Sequence, residues 1–277
     1  MIPPTIPSLV ARASEHPFLG THLAMGHGTH GEIALARFHD LELTSAYEPI
    51  FDISVHALAQ SMSSDVENVD RFGDELGFQA VTQRLDAAPF DMFDAFDRIA
   101  DDQEVVALDR MSRALHSVNF FGAQRHGLLF LRVHERLLKS VKYDHGRHFS
   151  SVLTSFGLNP SRIVIELPAA AVAHKTFLGY LTKSYQHYGF KVAGNLSNAG
   201  QILSVSETAR LDFIKMDAAV ALRESMVKPL VGYAGRLSIP LIFNRVMDEP
   251  QFVALQQYDV RFVQGPLFNA HYHDRAA

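Results

Sequence analysis

The chain has 277 residues, of which 47% are hydrophobic and 20% charged, and its formal net charge is -5 at pH 7. This length and apolar content suffice for a substantial core, in one large domain or two small ones. The acidic balance argues against general binding to nucleic acid or anionic membranes, and the lack of cysteine excludes disulfides and thiolate metal sites. No signal-like segment and no apolar run of membrane-spanning length is present, so we expect a soluble cytoplasmic protein.

Residues 1–30 are predicted to be an irregular leader, and residues 31–277 the folded domain. The leader is rich in proline and glycine and has few charges. His22, His27 and His30 lie close together in it, but no carboxylate or cysteine is interspersed. We therefore interpret these histidines as part of a solvated loop and predict no metal site.

The next part of the chain reads as a hairpin followed by helices. Residues 46–60 begin as an apolar strand, residues 61–75 are a polar loop longer than most hairpin connections, and residues 75–81 return as a strand. Apolar residues at helical spacing over 90–121 predict two helices that are broken near Asp101.

Short apolar runs rich in Val, Ile, Leu and Phe alternate with helical segments in the remainder. We expect most of these runs to be strands buried on both faces. They occupy residues 128–134, 162–167, 190–196, 212–217, 240–246 and 260–265. Helices are predicted over 175–188 and 219–237. Repeated strand and helix units favour one parallel barrel over two domains.

Several of these segments carry motifs in the order found in the EAL-domain family of cyclic di-GMP phosphodiesterases. The segment Tyr47–Ile50 is similar to the family's Y-Q-P-I, and Gly77–Gln83 aligns with the segment that contains E-A-L-x-R. Further matches are L-D-R at 108–110, Arg132 and Val133 at the family's N-V strand motif, RIVIEL at 162–167, DFIKMD at 212–217 and RFVQGPLF at 261–268. The chain therefore resembles the family from about residue 45 to residue 270.

The resemblance implies an α/β fold, namely a modified TIM-type (β/α)8 barrel of the EAL type in which the first hairpin contributes one antiparallel strand. It also implies a catalytic site in which two divalent cations activate water and neutralise the phosphodiester. Such cations need hard oxygen ligands. Most of the family's ligands are replaced in this chain.

The first replacements lie on the early strands. By the resemblance, Gln79 stands at the Glu of E-A-L, and Arg132 stands at an Asn ligand, where its charge would repel a cation. The Glu of the I-E strand persists as Glu166, but the second carboxylate of the family's E-x-x-E is Ala169.

The later replacements remove more negative charge. Asn195 and Leu196 stand where the family's D-D-F-G-T-G loop supplies two aspartates. The family's A-E-G-V-E segment includes Asn244, Arg245 and Met247 here, so two further carboxylates are lost and a guanidinium is added. Too little negative charge remains for two cations, and we predict no metal and no other cofactor.

Two residues of the family's reaction site are retained. The resemblance implies that Lys215 is the lysine that orients the attacking water and that Gln264 is the family's late glutamine. Glu166 and Lys215 form a structural ion pair in the interpretation we favour, and keep a role in ligand binding in the alternative. Gln264 is interpreted as a hydrogen-bonding barrel residue.

The two added arginines also have two interpretations. Arg132 and Arg245 pair with Glu166 or Asp217 in the first, and bind the phosphate of an anion in the second. We favour internal pairing because carboxylates are expected nearby.

These replacements predict a degenerate pseudoenzyme of bacterial cyclic di-GMP signalling. Degenerate members of the family act by binding another macromolecule, so the leading hypothesis is a module that works through protein–protein interaction, including self-association as a homodimer. The alternative is a receptor that binds cyclic di-GMP without cleaving it. The arginine of E-A-L-x-R is Gln83 here, so we expect weak or no binding. A weak phosphodiesterase with rearranged ligands is the least favoured hypothesis.

Overall fold

The computed structural model describes residues 3–28, 31–54, 72–86, 88, 90–140, 144–205 and 210–269. Its strands are β1 Leu23–Gly28, β2 Gly31–Phe38, β3 Leu41–Asp52, β4 Asp74–Arg84, β5 Leu128–Arg132, β6 Ile163–Leu167, β7 Lys191–Leu196, β8 Phe213–Asp217, β9 Leu241–Asn244 and β10 Phe262–Gln264. Its α-helices are α1 Ile6–Ser14, α2 Met92–Arg98, α3 Asp102–Gly122, α4 Glu135–Ser140, α5 Arg147–Phe156, α6 Ala169–Val172, α7 Lys175–His187, α8 Ile202–Val205, α9 Ala218–Arg223, α10 Val227–Leu237 and α11 Glu249–Gln256.

The strands form one sheet in the order β1-β2-β3-β10-β9-β8-β7-β6-β5-β4, and β3 also pairs with β4. This last pairing closes β3 to β10 into an eight-stranded barrel, while β1 and β2 continue the sheet as antiparallel strands. Strands β7 to β10 are parallel neighbours, and β3 runs antiparallel to β10. The predicted fold, a modified (β/α)8 barrel with one antiparallel strand, is confirmed.

The apolar runs of the sequence correspond to the barrel strands. Every residue of β6 is buried, and so are the first four residues of β8. A strand buried on both faces has no polar side to alternate with, which explains its continuous apolar run. The helix break predicted near Asp101 is also confirmed, since the Asp101 side chain accepts a hydrogen bond from the Gln103 backbone N–H and so starts α3.

The irregular conformation predicted for residues 1–30 is wrong for much of this segment. Helix α1 starts at a capping box in which the Thr5 hydroxyl accepts from the Ser8 backbone N–H, and proline occupies its first turn. The helix buries one apolar face, which includes Leu9. Threonine before a proline is a helix-start signal that the overall proline and glycine content obscured. The domain boundary at residue 30 stays a prediction.

The solvated loop predicted around the histidines is also wrong in part. His27 lies in β1, directly opposite Glu32 of β2. His22 lies in the turn before β1, with its Nδ1 atom 3.1 Å from the Arg37 carbonyl oxygen. His30 lies outside the described residues. Glycines in this stretch belong to the strand and its hairpin, so their presence did not indicate a loop.

Most of the long polar loop predicted over 61–75 also lies outside the described residues. Its last part shows where β4 begins, at Asp74. Gly73 just before it has φ +90, and a Cβ atom there would lie 2.2 Å from the carbonyl oxygen of Asp52. Only glycine fits this turn into β4. The single helix predicted over 219–237 is instead the pair α9 and α10.

The chain divides into two compact units. The first comprises Met1–Tyr47, Ala80–Ile165 and Ser184–Phe190. In it, the Asn119 side chain of α3 accepts from the Ala34 backbone N–H at 2.7 Å and donates to the Ala34 carbonyl at 3.0 Å. The pairing of β2 with β3 covers Ala36 to Phe38. At Ala34, before this pairing begins, the Asn119 side chain satisfies both backbone groups.

The second unit comprises Glu48–Gln79, Glu166–Lys183 and Lys191–Ala277. Its apolar interior includes a cluster of four phenylalanines whose ring centroids lie 5.0 to 6.0 Å apart, namely Phe51, Phe72, Phe252 and Phe268. Across the described ranges of the chain, no helix is long and apolar enough to cross a membrane.

Candidate functional site: a buried ammonium

The Lys215 side chain is the centre of a buried polar cluster in the second unit. It projects from β8 and is 0% exposed. Its Nζ atom donates hydrogen bonds to Glu166 Oε1 at 2.6 Å, Gln79 Oε1 at 2.7 Å and Gln264 Oε1 at 2.8 Å. An ammonium group has three donor hydrogens. These three acceptors therefore use its entire hydrogen-bonding capacity.

The four side chains come from alternate strands of the barrel. Gln79 lies on β4, Glu166 on β6, Lys215 on β8 and Gln264 on β10. Interior residues of such barrels form layers of four, each layer being supplied by alternate strands. Bulky apolar residues usually fill these layers. Here one layer is polar, and the Lys215 ammonium is in contact with all three other side chains of the layer.

The layer is extended by a residue that the sequence analysis did not select. Gln264 Nε2 donates to Glu48 Oε2 at 3.0 Å and lies 3.2 Å from Gln79 Oε1. Glu48 lies on β3, two residues before Ile50, which is the register partner of Gln264. Because strand side chains alternate with period two, Glu48 and Ile50 share a face. The available signal was the glutamate in Tyr47–Ile50, where the family pattern has glutamine.

The Glu166 and Lys215 side chains form the expected ion pair. Glu166 is 2% exposed, so both charges are almost completely removed from water. The desolvation of two such groups is expensive and is offset only when the charges meet and their remaining polar atoms are hydrogen-bonded. Gln79 and Gln264 supply these additional hydrogen bonds to the ammonium.

The residues at the family's aspartate positions on β7 do not present charged oxygen atoms. Asn195 Nδ2 donates to the Leu167 carbonyl at 3.0 Å, which ties β7 to the end of β6. Leu196 is 5% exposed and packs in the apolar core. Both side chains therefore have structural contacts that explain their place in the fold.

Asp217, Asn244 and Arg245 lie together at the ends of β8 and β9. Asp217 Oδ1 accepts from the Val220 backbone N–H at 3.0 Å as the N-cap of α9, and its Oδ2 lies 3.4 Å from Arg245 Nη1. The pairing predicted between Arg245 and Asp217 is thus present. Its energy is small because the Arg245 side chain is 76% exposed. Asn244 faces Asp217 in register, and its buried Oδ1 has no hydrogen bond from the described residues.

Arg132 lies in the first unit, at the end of β5. It is exposed, and its guanidinium lies 3.9 Å from the centroid of the Phe93 ring, a cation–π contact. Gln83, at the position of the family's arginine, is exposed on β4. The pairing predicted for Arg132 with Glu166 or Asp217 stays a prediction.

The side chains present do not fit a site for two divalent cations. Hard cations require several oxygen ligands, among which carboxylates supply the negative charge. The Gln79 and Glu166 oxygens nearest the centre accept from Lys215, and the Asp217 oxygens serve a helix cap and an arginine. Among the described residues, no group of three or more His, Asp or Glu side chains is arranged to hold a metal ion.

Comparison with solved structures identifies the fold. A standalone EAL protein from Vibrio cholerae O395, in its c-di-GMP-bound form, has a TM-score of 0.62 at 16% identity, covering 82% of this chain and 91% of that chain. The FimX EAL domain from Pseudomonas aeruginosa, also bound to c-di-GMP, has a TM-score of 0.62 at 12% identity, with 94% and 93% covered. The manganese and cy-diGMP complex of Klebsiella pneumoniae BlrP1 has a TM-score of 0.64 at 17% identity.

The match to the Klebsiella protein covers 92% of this chain but 61% of that chain. Neither family models nor curated protein sequences match this chain. At identities this low, the similarity establishes the fold and not the activity. The chain has the fold of an EAL domain, and the resemblance inferred from the motifs is confirmed at that level.

Proposed function

We propose that this chain is a catalytically inactive EAL-fold signalling module that acts through protein–protein interaction and does not hydrolyse cyclic di-GMP. The observation that carries the proposal is the saturated ammonium of Lys215. Its three hydrogens are donated to Gln79, Glu166 and Gln264, and it is 0% exposed.

A lysine in this state is unsuited to the role that the resemblance implies. To orient an attacking water, the ammonium must keep one hydrogen for that water and must be accessible to it. Lys215 meets neither condition. The replacement of the E-A-L glutamate by Gln79 and of the aspartates by Asn195 and Leu196 acts in the same direction, because the charge needed to hold cations is missing.

The candidate contact residues for the interaction role are exposed apolar side chains of the second unit. Leu203 is 64% exposed, Met247 53% and Val253 46%. Exposed apolar residues indicate a protein–protein contact only when they lie together, so substitutions are needed to test these three. Sedimentation over a concentration series tests the homodimer form of the proposal. A dimer that Met247→Lys or Val253→Lys dissociates is the supporting result.

Exposed arginines favour one alternative, a receptor that binds cyclic di-GMP without cleaving it. Arg132 and Arg245 are both exposed, and the only ion pair of Arg245 within the described residues is the weak contact to Asp217. A guanidinium presents a planar fork that suits phosphate oxygens. These two residues are therefore the candidate phosphate-binding groups of the alternative.

Hydrolysis is tested by incubating the purified chain with cyclic di-GMP in magnesium or manganese and separating any linear dinucleotide. An active EAL phosphodiesterase in the same buffers is the positive control. We expect no product from this chain and none from Gln79→Glu, since the other ligands are still missing. Product that accumulates in proportion to the amount of chain would overturn the proposal.

Calorimetric titration with cyclic di-GMP, with and without magnesium, distinguishes the module from the receptor. We expect no saturable heat at tens of micromolar ligand, because charged contacts worth a few kcal/mol are missing. A stoichiometric isotherm that disappears in Arg132→Ala or Arg245→Ala, but persists in the control Arg236→Ala, would favour the receptor.

A further inference from the structure

The first unit contains a cavity of about 480 Å³ that shares no lining residue with the polar layer around Lys215. Side chains from α3, the start of α5 and α7 line it. Its charged groups are the guanidiniums of Arg110, Arg113 and Arg147 and the carboxylates of Asp109 and Asp144, and the imidazoles of His145 and His148 also face it.

The ion pairs of the two acidic groups leave the Arg110 guanidinium without a direct partner, although the charge of Asp109 is near enough to interact with it. Asp109 is paired with Arg113 at 2.8 Å, and both side chains are buried. Asp144 is paired with Arg147 at 3.2 Å. Arg110 makes no hydrogen bond or ion pair with any described residue, although it lines the same cavity. The cavity therefore has a net positive charge even when its histidines are neutral.

The histidines respond to this positive charge. Burial is the main reason why the pKa of His148 falls to about 4, and Arg110, His16 and Arg113 lower it further. Burial and then Arg113 lower the pKa of His145. Burial disfavours a charge of either sign, so it is only the contribution of the arginines to these shifts that reflects the positive charge of the lining.

The cavity also offers backbone donors. Helix α5 has ten residues, and Gly146 at its N-cap, with φ 95, provides no side-chain cap. The backbone N–H groups of His148 and Phe149 have no hydrogen-bond partner among the described residues. Free N–H groups in the first turn of a helix bind anions. They supplement the guanidinium of Arg110.

Apolar side chains make up the rest of the lining. Leu19, Leu137, Phe149, Val152 and Tyr185 all contribute to it. The volume is within the range of about 300 to 1,000 Å³ that is typical of small-molecule sites. A site that combines an anion-binding corner with apolar walls suits an organic anion better than a bare inorganic ion.

We propose that this cavity binds a small phosphate monoester with an apolar or aromatic group, in which Arg110 and the first turn of α5 hold the phosphate. None of its residues belongs to the polar layer around Lys215, so the site is independent of the proposed function. Arg110 is exposed, and the buried Asp109 near it keeps its ion pair with Arg113, so Arg110→Ala should fold normally.

The test is a calorimetric titration of the full chain with phenyl phosphate, inorganic phosphate and phenol. We expect saturable binding of phenyl phosphate, with an affinity at least about tenfold higher than for either fragment. Arg110→Ala should weaken it by about tenfold or more, and the control Arg236→Ala, an exposed arginine of the second unit, should not change it.

One further variant tests the apolar part of the site. Val152→Asp should weaken phenyl phosphate binding by introducing a buried negative charge, and circular dichroism checks that the fold persists. Absence of saturable phenyl phosphate binding, or binding that is unchanged in Arg110→Ala, would overturn the proposal. Equal affinity for inorganic phosphate would also overturn it, since that would be an adventitious ion only.

Discussion

Replacing Lys215 with methionine tests whether its ammonium is the counter-charge of the polar layer. The substitution keeps the length of the side chain but removes the charge and three donors. Glu166, 2% exposed, would then be a buried carboxylate without its cation. Breaking one partner of a buried ion pair costs about 3 to 5 kcal/mol. For a domain of this size we expect Tm to fall by roughly 6 to 20 °C.

Urea and thermal unfolding of three variants, compared with the unsubstituted chain, measure this cost. Glu166→Gln added to Lys215→Met removes the orphaned carboxylate and should recover part of the lost stability. Lys191→Met is the matched control, because Lys191 has a 40% exposed side chain and lies 3.9 Å from Asp212. It should change the free energy of unfolding by less than about 1 kcal/mol. If Lys215→Met were no less stable than Lys191→Met, the argument for a buried counter-charge would be refuted.

Three other predictions concern the rest of the fold. Burial lowers the pKa of His116 from 6.5 to about 3, so the folded chain stays neutral there while the unfolded chain takes up a proton. This residue should therefore lower the free energy of unfolding by about 1.4 kcal/mol per pH unit as pH decreases from about 6.5 to 3. In urea titrations, His116→Gln should make the pH dependence less steep. An unchanged slope would contradict the low pKa of His116. Gly232→Ala should raise the free energy of unfolding by about 0.5 to 1 kcal/mol, because a Cβ atom there meets nothing within 4 Å. Gly122→Ala should lower it, because a Cβ atom there would lie 2.7 Å from the backbone nitrogen of Ile6. Equal thermal shifts would contradict the packing. Arg136→Lys should cost about 1 to 3 kcal/mol in urea unfolding, since the guanidinium donates to carbonyl groups at the end of α2, and an unchanged midpoint would show these bonds to be unimportant.

The sequence predicted the barrel well because strands buried on both faces leave short, continuous apolar runs that are easy to recognise. Gln79, Glu166, Lys215 and Gln264 were each identified from motifs, one strand at a time. Their convergence on one ammonium was not predictable in detail, because it depends on strand register and on the closure of the barrel. Glu48 was missed for the same reason, since its contact runs through Gln264 on a strand that is distant in sequence.

The leader was mispredicted for a different reason. Its composition was averaged over the whole segment, and the local cap at Thr5 and the proline in the first turn of α1 were outweighed. The contact of Arg132 with Phe93 was also not predicted, because the family comparison assigned that position a metal-related role and gave no information on its aromatic neighbour.

The ammonium of Lys215 has a consequence for how this fold responds to its surroundings. A bound ion has an occupancy that varies with its free concentration, whereas a charged side chain is covalently attached at its site. A chelator cannot remove it. We therefore expect the arrangement of Gln79, Glu166 and Gln264 around this charge to be the same in metal-rich and metal-poor conditions.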